Sequence, residues 1–421
     1  MEVGQGDRLP APVKLHFIWT RDIDADRSFG RLKMAHAIRA ALSHAFSTQS
    51  HMIRSIMSTR SPSGIVRALG QYARSVIRLK PLPLQCILFA DTAEADRLIG
   101  EIPIDATAVY IDGARCVTLL HRLRRKAPGL AIITDLDDLM SRRMRLLLAL
   151  GEAPSTGYMK GSMPGFVEAI LRSRFLARLL LRYEAATLRA VERDVVRLSD
   201  RAVLVSSEDA RLLSAQTGDA AKVVGIAPPA PLVQPAAQLL PGQIRFVFVG
   251  SDTLRQNQLT IDKLLALWRT HGIVTPLVIY GEQTRNLDLP PQVSMPGYAS
   301  TIEEIYDGRS VLLSPSYLAG GIKTKVLEAF GYGTAVLGNS ITFEGIDITS
   351  DYPMSLESDA AMVAVLSDPE GHRRQFHEAA VAGSALISRN HDPARFAERW
   401  AALVRDAVAE RSAARTQASA A

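Results

Sequence analysis

The chain has 421 residues, 47% of them hydrophobic and 22% charged, with a formal net charge of +6. That composition is ordinary for a globular protein, and the length allows two domains with separate cores. The longest apolar runs fall short of the roughly 18 residues a membrane-crossing helix needs, so none is expected.

The opening residues, Met1 to Asp7, lack the basic and apolar regions of a signal peptide, and a cytoplasmic protein is expected. Cys86 and Cys116 have no metal-type spacing and read as reduced thiols. The charge is unevenly spread. Between Asp26 and Asp91 no acidic residue occurs, while Arg27, Arg31, Lys33, Arg39, Arg54, Arg60, Arg67, Arg74, Arg78 and Lys80 give that interval +10. A basic surface of this kind suits anionic lipid, nucleic acid or an anionic substrate.

Residues 14–20 (Lys-Leu-His-Phe-Ile-Trp-Thr) predict a first strand, followed by a polar loop over 21–30 and a helix over 31–46. That order fits the opening of a parallel α/β sheet. Met52, Ile53, Ile56 and Met57 form a short helical stripe; Ile65, Val66, Leu69, Tyr72, Ala73, Val76 and Ile77 form a second, with arginines 67, 74 and 78 at its polar positions. The basic amphipathic segment 51–80 suits a helix lying in a membrane interface. It equally suits a helix packed on its own domain with a solvated basic rim.

Strands are predicted at 84–90, 106–111 and 130–134, with helices at 92–99 and 115–126 between them. The last strand runs into Asp135-Leu-Asp137-Asp138, with Ser141-Arg142-Arg143 just beyond. Ligands of open α/β sheets gather beyond the carboxyl ends of the strands, which makes Asp137 and Asp138 candidates. The plain alternative is that one of them caps the next helix. A long helical pattern runs over 166–198, its Arg174, Arg178 and Arg182 reading as a solvated ridge. A strand at 202–205 leads into a helix capped by Ser206, and another strand is predicted at 222–226.

The stretch 227–242 holds Pro228, Pro229, Pro231, Pro235 and Pro241 and reads as a stiff linker. The expected domains are therefore 1–228 and 229–392, with a crossing helix and frayed tail over 393–421. The second domain opens with a strand over 244–250, a turn containing Arg255, and a helix over 259–269. A strand at 277–281, a turn at Met295 to Tyr298 and a helix at 302–306 come next.

Then comes the most informative stretch. A strand over 310–314 leads into Gly320-Gly321-Ile322-Lys323-Thr324-Lys325-Val326-Leu327-Glu328, whose apolar positions continue at helical spacing to Gly331. A helix N-terminus favours acids by roughly 0.3–1 kcal/mol each, yet lysines stand here. Unpaired amides, the positive end of the helix and two ammonium groups make a seat for an anion such as a phosphate. Glu328, one turn on, is placed to accept sugar hydroxyls. The alternative is a common Gly-Gly helix start with Lys325 and Glu328 as a surface pair of little weight.

From 310 to 345 the chain resembles the donor-site signature of glycosyltransferases with the GT-B fold, especially retaining family 4. The matching residues are Lys325, Glu328-Ala329, Gly333 to Leu337 and Phe343-Glu344-Gly345. The likeness covers about 199–343 well and the first half, with the Asp135 loop, more loosely. The resemblance implies an α/β fold of two Rossmann-like domains facing a cleft. It implies that Gly320, Gly321, Ile322, Lys323 and Lys325 hold the diphosphate of a nucleotide sugar and that Glu328 binds the ribose. Gly250, Arg255 and Tyr298 would complete the donor side; Arg21, Asp22, Asp24, Arg27 and Arg142 would face the acceptor, with Asp137 and Asp138 near the chemistry. Many members carry a further Glu eight residues before the second, where this chain has Gly320.

The resemblance thus implies a retaining hexosyltransferase passing a sugar from a nucleoside diphosphate to a lipid-linked saccharide in exopolysaccharide, capsule or O-antigen synthesis. It would need no metal or other cofactor and would sit peripherally on an anionic membrane at its cytoplasmic face, without a nucleic-acid partner. Two other readings fit the same residues: an epimerase or hydrolase on this fold, and a non-catalytic binder of nucleotide or membrane, which Gly320 favours.

Overall fold

The computed structural model describes residues 13–24, 30–151, 173–234, 240–318 and 320–420. Arg27 and the start of the helical pattern expected from 166 lie outside them. The chain divides into two compact units, 1–141 with 186–226 and 394–421, and 142–185 with 227–393.

The first unit is built on six parallel strands, β1 (Lys14–Trp19), β2 (Ser47–Met52), β3 (Ala108–Asp112), β4 (Ala131–Asp137), β5 (Arg201–Leu204) and β6 (Val223–Gly225). Their order is β2-β1-β3-β4-β5-β6. A parallel sheet is covered on both faces, so its central strands are apolar throughout; β3 and most of β4 are buried residue by residue. β2 is the exception. Its Ser-Thr-Gln-Ser-His-Met is polar because it is an edge strand, paired from Lys14↔Ser47 to Trp19↔Met52, and the apolar pattern gave no sign of it.

The strand expected at 84–90 is instead a single helical turn, Leu84–Ile87, entered from Pro83. A short apolar run does not distinguish strand from buried helix, and here Cys86 and Phe89 simply plug the core. The tail expected to fray is also different: Pro393–Ala420 is one helix. Phe396, Trp400, Leu403 and Val404 are buried on the first unit, with the Trp400 ring 5.8 Å from that of Tyr110. Further along, Glu410 pairs with Arg201 and Arg411 with Asp200, which fastens the helix beyond its apolar part.

The helix Pro62–Ile77 packs in an unexpected way. Its buried residues are the small ones, Gly64, Ala68 and Ser75, while Val66, Leu69, Val76 and Ile77 face solvent. The charge of this region is likewise not what a count gives. Arg31 and Arg39 pair with aspartates of the first unit, Arg54 with Glu94 and Arg67 with Asp91, all acids outside the acid-free interval. Arg60, Arg74, Arg78 and Lys80 make no ion pair among the described residues.

The second unit has five parallel strands in the order β11-β10-β7-β8-β9: β7 (Arg245–Val249), β8 (Leu277–Tyr280), β9 (Val293–Gly297), β10 (Ser310–Leu313) and β11 (Val336–Leu337). Phe246, Phe248, Trp268 and Phe330 fill its core. The helix after β7 is Arg255–His271 and begins at Arg255, not four residues later. The turn expected at Met295 to Tyr298 is largely β9 itself. Among the described residues of 227–242 there is no helix or strand; Ala230 donates to the His391 carbonyl (2.8 Å) and Val233 to that of Gly331 (2.8 Å), so the proline-rich segment lies against the second unit.

Candidate functional site

In the second unit the strand order reverses between β7 and β10, the topological switch point where open α/β sheets take ligands. The glycine loop occupies it. Gly320 and Gly321 have φ of 114° and 68°, values that L side chains rarely adopt, and this folds the chain tightly into the helix Thr324–Gly331. That helix has no acid in its first turn and no side-chain cap from Lys323. In its first turn the Val326 amide donates to the Lys323 carbonyl (2.9 Å), and the amides before it have no carbonyl partner within the helix itself.

Both lysines turn into the loop. Lys323 Nζ donates to the Gly320 and Gly321 carbonyls (3.3 and 3.1 Å). Lys325 Nζ donates to the Val249 carbonyl at the end of β7 (3.0 Å) and lies 4.0 Å over the Phe248 ring. Burial, with the charge of Lys323 added, pushes the Lys325 ammonium down to about 7. The loop is thus anchored across the switch point by a cation that gains from any anion placed beside it.

Glu344 completes this cluster. Its Oε2 accepts from the Gly320 amide (2.7 Å), and Oε1 pairs with Arg142. Arg142, expected on the acceptor side, is therefore placed beside the glycine loop, and 142–185 groups with the second unit. Glu328 is half-buried; burial first, and then the Glu328 charge, pushes the Tyr306 phenol well above its ordinary value. Gly250 is tightly enclosed: a Cβ there would lie 2.7 Å from Asn257 Nδ2, whose amide holds the Ser251 carbonyl (2.8 Å). Arg255 stands half-buried at the first helical position. Tyr298 is set apart from these residues, exposed just past β9, which β8 separates from β7.

The first unit has its own cluster at its own switch point, between β1 and β3. Arg31 Nη2 bonds Asp112 Oδ1 (2.5 Å) and Asp135 Oδ2 (2.8 Å), and its Nη1 bonds Asp137 Oδ1 (3.2 Å). Thr20 Oγ1 donates to Asp112 (2.7 Å), Arg21 pairs with it, and the Tyr110 hydroxyl donates to Asp135 (2.6 Å). Burial works against the Arg31 charge, but the three carboxylates around it raise its pKa well above the ordinary value. Burial would raise Asp112, yet Arg31 and Arg21 hold it below the usual carboxylate range. Asp135 goes the other way, raised by burial and by Asp137 in spite of Arg31.

Asp137 sits at φ 65°, where β4 shifts register against β5, and its amide donates to Asp135 Oδ1 (2.9 Å). This turn brings the Asp137 carboxylate out of the sheet edge, half-exposed, while Asp138 is buried. Asp22 and Asp24 are exposed; the Asp24 amide donates to Asp22 Oδ1 (3.0 Å), and Asp24 pairs with Arg39. Sequence reading missed Arg31, Tyr110, Asp112 and Asp135. The available signal was weak: Asp112 and Asp135 close apolar strands, and Arg31 looked like one more member of a basic run.

The two parallel α/β sheets match solved structures of the GT-B fold. Residues 243–351 match the family model described as glycosyl transferases group 1. Among solved structures, sucrose-phosphate synthase from Thermosynechococcus elongatus is similar with a TM-score of 0.64 and 14% identity, over 94% of this chain and 100% of that one. Anabaena HepE in complex with UDP-glucose gives a TM-score of 0.59 and 9% identity, over 93% and 99%. The same protein in complex with UDP gives 0.53 and 8%, over 94% and 100%. No curated protein matches the sequence.

Proposed function

We propose that this protein is a retaining glycosyltransferase that moves a hexose-type sugar from a nucleoside diphosphate to a lipid-linked saccharide. The observation that carries the reading is the cationic glycine loop at the β7–β10 switch point, inside the segment that matches the group 1 model. HepE, similar in fold, is described with UDP and with UDP-glucose, which supports a nucleotide sugar as donor.

In this reading the donor diphosphate meets the first-turn amides and Lys325, with Lys323 and Arg255 near it. An anion there gives the Lys325 ammonium a better counterpart than the Val249 carbonyl. Glu328 accepts the ribose hydroxyls. As the bond from sugar to phosphate breaks, these cations and the helix end stabilise the departing charge, so no metal is called for. The acceptor hydroxyl is oriented by Asp137 or Asp138 and gives its proton to the departing diphosphate on the same face of the sugar. The acceptor lipid is met at an anionic membrane, where the exposed apolar side chains of Pro62–Ile77 and the basic residues Arg60, Arg74, Arg78 and Lys80 make contact. Polysaccharide assembly at the cytoplasmic face is the setting that suits this chemistry.

Calorimetry with UDP, GDP, ADP and their sugars tests the donor half. Lys325→Ala should weaken nucleoside diphosphate binding by about tenfold or more, as expected for loss of a charged contact. Glu328→Ala should weaken nucleoside diphosphate binding and leave inorganic diphosphate binding unchanged. Unchanged affinity in both folded variants would reject the assignment.

A further inference from the structure

At the mouth of the glycine loop stands a carboxylate that the loop itself does not carry. Gly320 has φ 114°, so a side chain at that position is strained whatever the space around it. Room exists: a Cβ built there would meet Arg143 Nε at 3.7 Å, an ordinary contact. The backbone, not crowding, keeps position 320 bare.

Glu344 reaches this place from the turn after β11. Its Oε2 accepts from the Gly320 amide at 2.7 Å, and Arg142 holds Oε1. The side chain is only 16% exposed. A carboxylate offers about four acceptor sites, and these two bonds leave capacity for two hydroxyl donors. Arg142 supplies an opposing charge that orients the group, and the Gly320 amide fixes it against the loop. Carboxylates held in this way are strong acceptors for the vicinal hydroxyls of a sugar.

We infer that Glu344 is a specificity-determining residue that accepts hydrogen bonds from hydroxyls of the donor sugar. Glu344 thus provides a sugar-facing carboxylate beside a loop whose backbone excludes one at position 320. The inference rests on the donor-site reading above and adds the residue that recognises the sugar as distinct from the nucleotide. Arg142 acts through Glu344 and is a positioning residue.

The test separates sugar from nucleotide. Wild type, Glu344→Gln and Glu344→Asp are titrated calorimetrically with UDP, GDP and ADP and with UDP-glucose, GDP-mannose and ADP-glucose. Gln retains an acceptor for the Gly320 amide; Asp retains the charge but withdraws it by one methylene. Thermal melting checks that each is folded, and either variant suffices. For the nucleotide that binds, the variants should lose about tenfold or more affinity for its sugar conjugate while nucleoside diphosphate affinity stays within about twofold. Equal weakening of both ligands would mean that Glu344 only fastens the loop, and no weakening of either would remove it from the site; both outcomes overturn the inference and leave the donor reading standing. Wild-type protein that binds none of the six ligands overturns the donor reading and this inference with it.

Discussion

Burial around Lys325 Nζ, with the charge of Lys323 added, sets the acidity of this lysine, whose acceptor is the Val249 backbone carbonyl. Lowered to about 7 from an ordinary 10.5, it takes up a proton on unfolding throughout the window between those values. Its contribution to stability therefore rises with pH from about 7 to about 10.5 and is flat below. Ligand binding runs the other way. A diphosphate favours the charged form, so nucleoside diphosphate binding at about pH 8 should draw a proton from solvent, up to one per site. Calorimetry in buffers of different ionisation enthalpy measures this, and Lys325→Arg, which stays charged, should abolish it. Zero uptake by the wild type would place Lys325 outside the binding event. The sequence showed Lys325 because a lysine in a helix's first turn contradicts the dipole. It gave no sign of the Val249 carbonyl or the Phe248 ring, since contacts across strands leave no local pattern.

At the scale of elements, legibility followed burial. β1, β3 and β4 were readable because strands covered on both faces are apolar throughout. β2 was not, because an edge strand with solvent beside it owes its place to hydrogen bonds with β1 alone. The helix Pro62–Ile77 carried a visible apolar stripe, but the stripe is not what packs it; its glycine, alanine and serine do. This makes the stripe testable. Leu69→Glu with Ile77→Glu should abolish flotation with anionic liposomes, while the melting temperature changes little because both side chains are exposed. Binding by the wild type should also weaken with salt, since exposed charges are screened over about 10 Å at 0.1 M. Equal flotation with neutral vesicles would reject the electrostatic part. A small residue matters elsewhere too. In the helix Arg373–Asn390, a Cβ on Gly383 would lie 2.6 Å from Phe330 Cε1, in the helix that carries Lys325 and Glu328. Gly383→Ala should cost about 1–3 kcal/mol in denaturant unfolding and disturb the donor loop from behind. A neutral effect would show that the Phe330 ring yields.

For the molecule as a whole, the fold was legible from the alternation of strands and helices and from one stretch of signature residues, 310–345. The polar cluster of the first unit was not, because its members, Arg31, Asp112, Asp135 and Asp137, are spread over more than a hundred residues and meet only through sheet order. That cluster bears on the choice between two stereochemical courses. An inverting enzyme needs a base within reach of the acceptor hydroxyl. Asp137 Oδ1 is engaged by Arg31 (3.2 Å), which suits an orienting role better than that of a base. Retention is therefore expected: proton NMR of product made from an α-linked donor should show an α-linkage. Asp137→Asn should lower transfer and leave measurable activity, with Lys325→Ala the graver loss. A β-linked product would make the aspartates catalytic bases.

The first unit is assembled from three separate stretches of chain, the last being 394–421, whereas most of the second unit lies in the unbroken run 227–393. On a translating ribosome this fixes an order of events. The later-encoded unit has nearly everything it requires once residue 393 has emerged. The earlier-encoded one must wait with part of the Tyr110 face of its sheet uncovered until Trp400 and Val404 arrive. The protein is thus made front to back but finished back to front.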